Sequence, residues 1–405
     1  MIDKISLKNF TVFEDVEIDF TPRVNVIVGQ NGTGKTHLLK AAYAICSGNN
    51  SYVGQDAKIS SEQIRDELTK KFLRVFRPTE NKIGRLKRHD AKAGAEIGVS
   101  LFGEKTFQVN FNANSQYVAI NENDRYQSYS WEPVFIPTKE ILSFVNAINA
   151  DSSDQATIEA LFNDAYLDLC RKMGLPAKRL GRDALEDARI GTLIIAISKA
   201  IGGKFGRSAS GMKFQAGEFK SNPIDPSKKA VADDEGSDDA ATDTEPLIIS
   251  DTVETKFAPR EDGFETSAQM TAEGFRKLGL LQHLLENKTL IPGVSGPLFW
   301  DEPEANMNPS LMRTLVEVIL ELSRNGQQVI LASHDYVLLK WFDLLRSDAK
   351  EDHVRFHVLH RGEDSDEVFV ESTDDYLAIS PNAIADTFDE LTKEQVTQKL
   401  KGLGK

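Results

Sequence analysis

The stretch Gly29-Gln30-Asn31-Gly32-Thr33-Gly34-Lys35-Thr36 decides how the rest of the chain is read. It fits the pattern G-x-x-x-x-G-K-[ST], and its flanks fit as well. Val24 to Val28 before it is a β-branched run of the kind a buried parallel strand uses. His37 to Ala44 after it is good helix sequence. In a strand–loop–helix unit the glycines let the backbone wrap a phosphate without Cβ clashes. The loop N–H groups and the helix N-terminus then face the anion. Lys35 is placed to reach the β- and γ-phosphates, and Thr36 to offer its hydroxyl to Mg²⁺. A glycine-rich turn with no ligand would not account for both the motif and its context.

Around this loop lies a chain of 405 residues, 40% hydrophobic and 27% charged, which suits one large α/β domain with a lobe, or two domains. Met1-Ile2-Asp3-Lys4 leads straight into a strand-like pattern, so no signal peptide is expected. The most apolar run, Leu193 to Ile197, is far too short to span a bilayer. Cys46 and Cys170 make no disulfide scaffold, and a reducing cytoplasm is the natural compartment. The net charge of −14 argues against a generally basic nucleic-acid binder. Half of that excess comes from the seven carboxylates between Asp233 and Glu245, so a local basic groove stays open. Lys70, Lys71, Arg74, Arg77, Lys82, Arg85, Lys87, Arg88 and Lys92 form a basic stretch with Phe72 and Phe76 interleaved. It reads either as contact with a nucleic-acid backbone or as a solvated face balancing an acidic chain. The lack of a base-reading motif favours the second.

The hydrophobic pattern divides the chain. Ile2 to Asn9 and Val12 to Phe20 alternate as two antiparallel edge strands. Ser51 to Arg77 is mostly helical, and Glu96 to Phe102, Thr106 to Phe111 and Tyr117 to Ile120 suggest a β-meander in a lobe. Trp131 to Pro137 is a further strand, followed by a helix from Ile141-Leu142. Asp154 to Met173 and Asp183 to Ile201 have helical spacing and form a helical lobe. Ser221 to Glu245, rich in Pro, Asp, Ser and Ala, reads as a disordered acidic loop. Helices are expected over Gln269 to Asn287, Leu311 to Ser323 and Tyr336 to Leu345, and strands over Pro297 to Trp300 and Gln328 to Ala332. Arg355 to His360 and Glu367 to Glu371 form a closing hairpin, and Ser380 to Leu403 one or two exposed helices. The expected domains are 1–140 with the phosphate loop and β-lobe, 141–220 as helical lobe, 221–246 as acidic loop, 247–375 as the second part of the head, and 376–405 as helical tail.

A phosphate loop alone gives binding; hydrolysis also needs a carboxylate for Mg²⁺ and a group that positions water. Leu298-Phe299-Trp300-Asp301-Glu302-Pro303-Glu304 supplies them. Asp301 emerges at the C-terminal end of an apolar strand, where parallel sheets bind ligands, and is the metal-holding residue. Glu302, one residue on, is the general base. His334 ends the next strand, where an imidazole can touch the γ-phosphate and the attacking water. His353, His357 and His360 lie in strand sequence with no cysteine near and are a weak suggestion of a metal site.

These motifs together resemble prokaryotic ABC-type ATPases of the SMC/RecF/OLD-like group within the AAA ATPases. The resemblance rests on ISLKNFTVFEDVEIDF (5–20), VIVGQNGTGKT (26–36), TAEGFRKLGLL (271–281), LFWDEPEANMNP (298–309) and VILASHDYVLL (329–339). It covers residues 2–48, 131–145 and 267–345. It implies an α/β fold, a P-loop NTPase of ABC-ATPase type whose mixed sheet carries an antiparallel β-lobe and an inserted helical lobe. His334-Asp335 looks like the switch histidine, and Asn306-Met307-Asn308-Pro309 like the loop that meets a partner subunit. Thr271-Ala272-Glu273-Gly274 falls at the signature position. Ala272 stands where the family usually has serine, so the way ATP closes the dimer rests on Gly274 and the helix N-terminus. No glutamine fills the Q-loop position; Pro137-Thr138-Lys139-Glu140 sits at a comparable strand end.

The resemblance implies ATP and Mg²⁺ as ligands and a homodimer, or higher homo-oligomer, closed around ATP. OLD-like members append a nuclease domain of roughly a hundred residues, a usual small-domain size, and the segment after residue 345 is too short for one. A separate nuclease or other effector, in DNA repair or phage defence, is therefore the expected partner by association, with nucleic acid left open and no membrane. The competing readings are a transporter ATPase subunit, which needs a clear Q-loop, and a non-hydrolysing ATP-binding scaffold, which Glu302 and His334 argue against.

Overall fold

The computed structural model describes residues 1–48, 60–101, 107–121, 132–149, 155–176, 185–208, 211–223, 248–249, 253–362, 365–380 and 383–403. In chain order its first elements are β1 (Ile2–Phe10), β2 (Phe13–Asp19), β3 (Val24–Gly29), α1 (Lys35–Ser47), α2 (Ser61–Phe76), β4 (Ala95–Leu101), β5 (Phe107–Phe111), β6 (Ala119–Ile120) and β7 (Val134–Ile136). The middle holds α3 (Val145–Asn149), α4 (Gln155–Leu161), α5 (Asp164–Met173), α6 (Leu185–Ile201), β8 (Gly203–Ser208), β9 (Gly211–Pro223), β10 (Ile248–Ile249), β11 (Val253–Pro259) and β12 (Glu265–Ser267). The last part holds α7 (Glu273–Glu286), β13 (Leu298–Asp301), α8 (Pro309–Arg324), β14 (Val329–Ser333), α9 (Tyr336–Leu345), β15 (Val354–Arg361), β16 (Val368–Thr373) and α10 (Ala383–Leu403). The elements gather into two compact units, one of residues 1–129, 330–349 and 353–405, the other of residues 130–329 and 350–352.

In the first unit the edge strands and the meander are one antiparallel sheet, in the order β2-β1-β4-β5-β6. Ile5 and Leu7 on β1 are fully buried and alternate with the more exposed Ser6 and Lys8, as the period of two requires, and Ile97 and Val99 on β4 are fully buried beside them. β3 is buried at every position, the mark of a strand covered on both faces. It pairs in parallel with β15, from Val24 opposite Val354 to Gly29 opposite Leu359, and β14 lies on its other side. β15 then turns back into β16. The polar Asn25 inside β3 is fully satisfied: it accepts from the Thr21 N–H (2.8 Å), donates to the Thr21 carbonyl (2.9 Å), and its Oδ1 meets His357 Nε2 at 3.3 Å. His357 is itself buried and bonded to Ser372 (2.8 Å). Burial pushes its pKa down to about 3, so the ring is neutral. His353 instead meets Asp374, and His360 meets Glu371. The three histidines converge on nothing, and no described group of three or more His, Cys, Asp or Glu side chains could hold a metal.

The second unit contains the parallel pair β7 and β13, with Trp300 opposite Ile136. It also contains the helices α3 to α8 and a second antiparallel sheet in the order β10-β11-β9-β12, with β8 paired to β9. This sheet corrects the expectation that 141–220 is helical: 203–208 and 211–223 are strands, with Phe205, Met212, Phe214 and Ala216 on the buried face. Three helix boundaries also differ. The helix after β7 starts at Val145. Asp154 to Met173 is broken at Asn163, whose side chain caps α5. α7 begins at Glu273, after a 3₁₀ turn. Most of the expected acidic loop, 224–247, lies outside the described residues. The two units also cross the linear division of domains, since 330–349 and 353–405 return to the first.

Candidate functional site

The phosphate loop is shaped by backbone. β3 delivers Gly29 against β15 so closely that a Cβ there would lie 2.4 Å from the Leu359 carbonyl oxygen. Gly32 (φ 82°) and Gly34 (φ 93°) take left-handed conformations that L side chains avoid. A Cβ on Gly34 would in addition sit 2.6 Å from the side chains of Val12 and Phe13. Thr33 ties the loop by donating its hydroxyl to the Gln30 carbonyl (2.9 Å). Lys35 Nζ donates to the carbonyls of Gly29 (2.6 Å) and Gln30 (3.0 Å), which places the buried ammonium across the loop. Gly34 caps α1 without a side-chain bond, and no acidic residue stands in the first turn. The positive end of the helix is therefore not offset by a carboxylate of its own first turn. Thr36 follows at the start of α1, partly exposed, and Gln30 and Asn31 on the rim are exposed. Arg361, at the end of β15, donates to the Gly32 carbonyl (3.1 Å) and pairs with Asp366 (2.7 Å). The sequence reading did not single it out, because only the parallel pairing of β15 with β3 brings it to the loop.

His334 belongs to the same unit. It is exposed, directly after β14, the strand beside β3. Asp335 next to it caps α9 by accepting from the Leu338 N–H (2.8 Å).

The acidic pair lies in the other unit. Asp301 ends β13 almost wholly buried, and its Oδ2 accepts from the Thr138 hydroxyl at 3.0 Å. Because β7 and β13 run parallel in register, Thr138, two residues past the end of β7, arrives beside Asp301. Thr138 lies in the Pro137-Thr138-Lys139-Glu140 segment at the strand end compared above with the Q-loop position; the signal for it was a hydroxyl at the end of a neighbouring apolar strand. Glu302 is left-handed (φ 49°), a conformation that costs a residue with a Cβ roughly 1–2 kcal/mol. Its carbonyl accepts from Lys277 Nζ at 3.2 Å. Lys277 is 3% exposed; burial lowers its pKa, and the nearby Glu273, Glu304, Glu302 and Asp301 act in the opposite direction.

Around this pair the signature segment is tightly tied. Arg276 pairs with Glu140 at 3.0 Å and donates to the Thr271 carbonyl. Thr271 spends its own hydroxyl on the Ala268 carbonyl (2.7 Å), so it does not stand in for the serine that Ala272 lacks. Gly274 is buried: a Cβ there would meet Leu311 Cδ1 at 3.2 Å and Met307 Cγ at 3.3 Å. The exposed residue at this helix start is Ala272. Asn308 caps α8, with Pro309 in its first turn.

The basic stretch is largely balanced within its own unit. Lys70 pairs with Glu67 (2.9 Å), Lys82 and Arg85 with Glu80, and Arg88 with Asp90 (2.7 Å) and Glu14 (3.3 Å). Lys71 lies over the ring of Tyr43 at 5.2 Å. This matches a solvated face better than a groove of uncompensated charge. Cys46 and Cys170 are buried free thiols pushed up to about 12, which keeps them unreactive. No described helix is long and apolar enough to cross a membrane.

Residues 4–174 match a family model described as an AAA domain, and residues 203–340 match one described as an AAA domain, putative AbiEii toxin, Type IV TA system. The DNA replication and repair protein RecF of Bacillus mycoides is 30% identical over 104 residues, 26% of this chain and 24% of that protein. RecF of Ligilactobacillus salivarius is 36% identical over 58 residues, 14% of this chain and 15% of that protein. The chain thus spans a quarter or less of the length of these curated relatives. Among solved structures, an SmcHead bound to the C-winged helix domain of ScpA aligns with a TM-score of 0.47 at 12% identity, over 92% of this chain and 97% of that one. Taken with the phosphate loop and the strand-end acid, the two AAA-domain matches and the likeness to RecF place this chain among the prokaryotic ABC-type, RecF-like AAA ATPases.

Proposed function

We propose that the chain binds and hydrolyses ATP with Mg²⁺ and works as a switch that dimerises around the nucleotide. The observation that carries this reading is the phosphate loop: two left-handed glycines, an ammonium laid across the loop and a helix start without a first-turn acid are what a triphosphate needs. Gly29 to Thr36 hold the phosphates in this reading. Thr36 and Asp301 would hold the metal; both offer hard oxygen donors of the kind Mg²⁺ prefers. Bound there, it would supply positive charge against the charge that develops on the phosphate. Glu302 accepts a proton from the attacking water, and His334 contacts the γ-phosphate side. The start of α7, with Ala272 exposed at its cap and Gly274 behind it, faces the γ-phosphate held by a second copy. There it neutralises charge and excludes water.

The setting of this cycle is a soluble effector system in the cytoplasm, with a separate nuclease or other partner in repair or phage defence; family association alone supports this part. The test is ATP turnover with Mg²⁺ in the wild type against Glu302→Gln, together with sedimentation of the Glu302→Gln protein with and without ATP. Turnover at the full rate by a diluted monomer would refute the dimer, and unchanged turnover in Glu302→Gln would refute the assigned base. Co-purification then separates a soluble nuclease or DNA from a membrane partner.

A further inference from the structure

We propose that Lys277 is a positioning residue for Glu302: its ammonium holds the Glu302 backbone in the left-handed turn that aims the carboxylate. The inference rests on the reading of Glu302 as the base and adds what keeps that base in place. Glu302 carries a Cβ in a region of backbone space that such residues avoid, so something must hold it there. The preceding β13 fixes one side of the turn, and on the other the Ala305 N–H donates to the Glu302 carbonyl at 3.1 Å. Lys277 adds a second donor to that carbonyl at 3.2 Å, from a side chain that is 3% exposed.

A lysine so deeply buried is an expensive second donor to a carbonyl that the Ala305 N–H already satisfies. It is understandable here because the group also stands among Glu273, Asp301, Glu302 and Glu304, whose mutual repulsion it offsets. Two more contacts hold the same loop to the same helix. Asn306, also left-handed (φ 58°), donates to Glu273 at 3.1 Å, and Met307 packs against Gly274. The segment from Glu302 to Met307 is therefore fastened to the first turns of α7 at Glu273, Gly274 and Lys277, with Lys277 the innermost tie. A base needs placement within a fraction of an ångström, so a released turn costs rate and leaves nucleotide affinity alone.

The test is Lys277→Met, which keeps the side-chain volume and removes the donor, assayed for kcat and, separately, for ATP-analogue affinity and thermal stability. We expect kcat to fall about tenfold or more while affinity stays within about threefold. Kcat within about twofold of wild type in a folded Lys277→Met protein overturns the proposal, as does a loss of affinity parallel to the loss of rate. Should Lys277→Met fail to fold, Asn306→Ala decides, because it cuts an exposed tie of the same loop. A kcat reduced about two- to fivefold at unchanged affinity supports the clamp, and an unchanged kcat overturns it. Glu302→Gln, run alongside, separates the two ideas. If it turns over at the wild-type rate, the assigned base is wrong and this inference falls with it. If it is inactive while Lys277→Met is fully active, only the positioning role fails.

Discussion

The phosphate loop and the acidic turn are built in opposite ways. The loop is eight consecutive residues shaped by glycine backbone and closed by its own lysine, Lys35, onto its own carbonyls. The acidic turn is assembled by side chains from three distant segments: Thr138 from the end of β7, Lys277 from α7, and Asp301-Glu302 from β13. A motif held by local backbone tolerates change around it and little within it. One held by distant side chains is exposed to substitutions at positions that carry no motif.

Experiments can break or sharpen that contrast. The largest effect is expected at Glu302. Glu302→Gln should lower kcat by roughly 10²- to 10⁴-fold with ATP affinity retained, measured by steady-state turnover and analogue binding. Lys35→Ala should show the reverse split, with ATP affinity down roughly 10- to 100-fold because charge-assisted bonds to phosphate are lost. If both variants lose the same parameter, the division of labour between loop and turn is wrong.

Thr138→Val comes next. It removes the hydroxyl on Asp301 from a buried setting at near-constant shape, and about 1–3 kcal/mol is at stake, or roughly 5- to 150-fold in kcat/KM. The Mg²⁺ concentration for half-maximal turnover should move with it. A Thr138→Val enzyme with wild-type Mg²⁺ dependence would detach β7 from the chemistry.

The smallest effect compares the cores of the two units through pH. His357 in the first unit and His283 in the second are pushed by burial down to about 3 and about 4, from an ordinary 6.5. His283 Nε2 lies 3.1 Å from the Met173 carbonyl, within a buried hydrogen-bonding setting like that of His357. The unfolded chain takes up these protons and the folded chain refuses them. Their stability contribution is thus full above about pH 6.5 and declines as the pH falls toward the folded values. From pH 7 to pH 6 each histidine should cost less than about 1 kcal/mol, rising toward about 1.4 kcal/mol per pH unit below that. Denaturant melts of His357→Gln and His283→Gln against pH should each lose part of the slope. A flat wild-type stability between pH 7 and pH 5 would contradict both assignments.

What could be read in advance follows the same division. β3, α1, β13, α8, β14 and α9 lie within two or three residues of the stretches expected from pattern alone, because each is a short segment whose burial period shows in its own residues. The sheet of β8 to β12 was missed. Its strands are glycine-containing and partly exposed, and β9 finds its partners β11 and β12 only across a long intervening segment. Met212, Phe214 and Ala216 in β9 do alternate with a period of two. Asn163 breaking a helical run into α4 and α5 is a capping effect that hydrophobic spacing cannot register.

The sequence by itself determined the chemistry on offer, because a phosphate loop is a local object. Glycine spacing, one lysine and one threonine specify it, and an apolar strand ending in two acids is an equally local pattern. Only the tertiary structure decided who holds those groups. Arg361 reaches the loop through the parallel pairing of β15 with β3, Thr138 reaches Asp301 through the register of β7 with β13, and Lys277 reaches the Glu302 carbonyl from α7. Gly274, read first as a surface for a neighbour's phosphate, also proved to be a packing residue against Met307. These contacts join residues far apart in the chain, and no local pattern encodes which strand end or helix turn will arrive beside another.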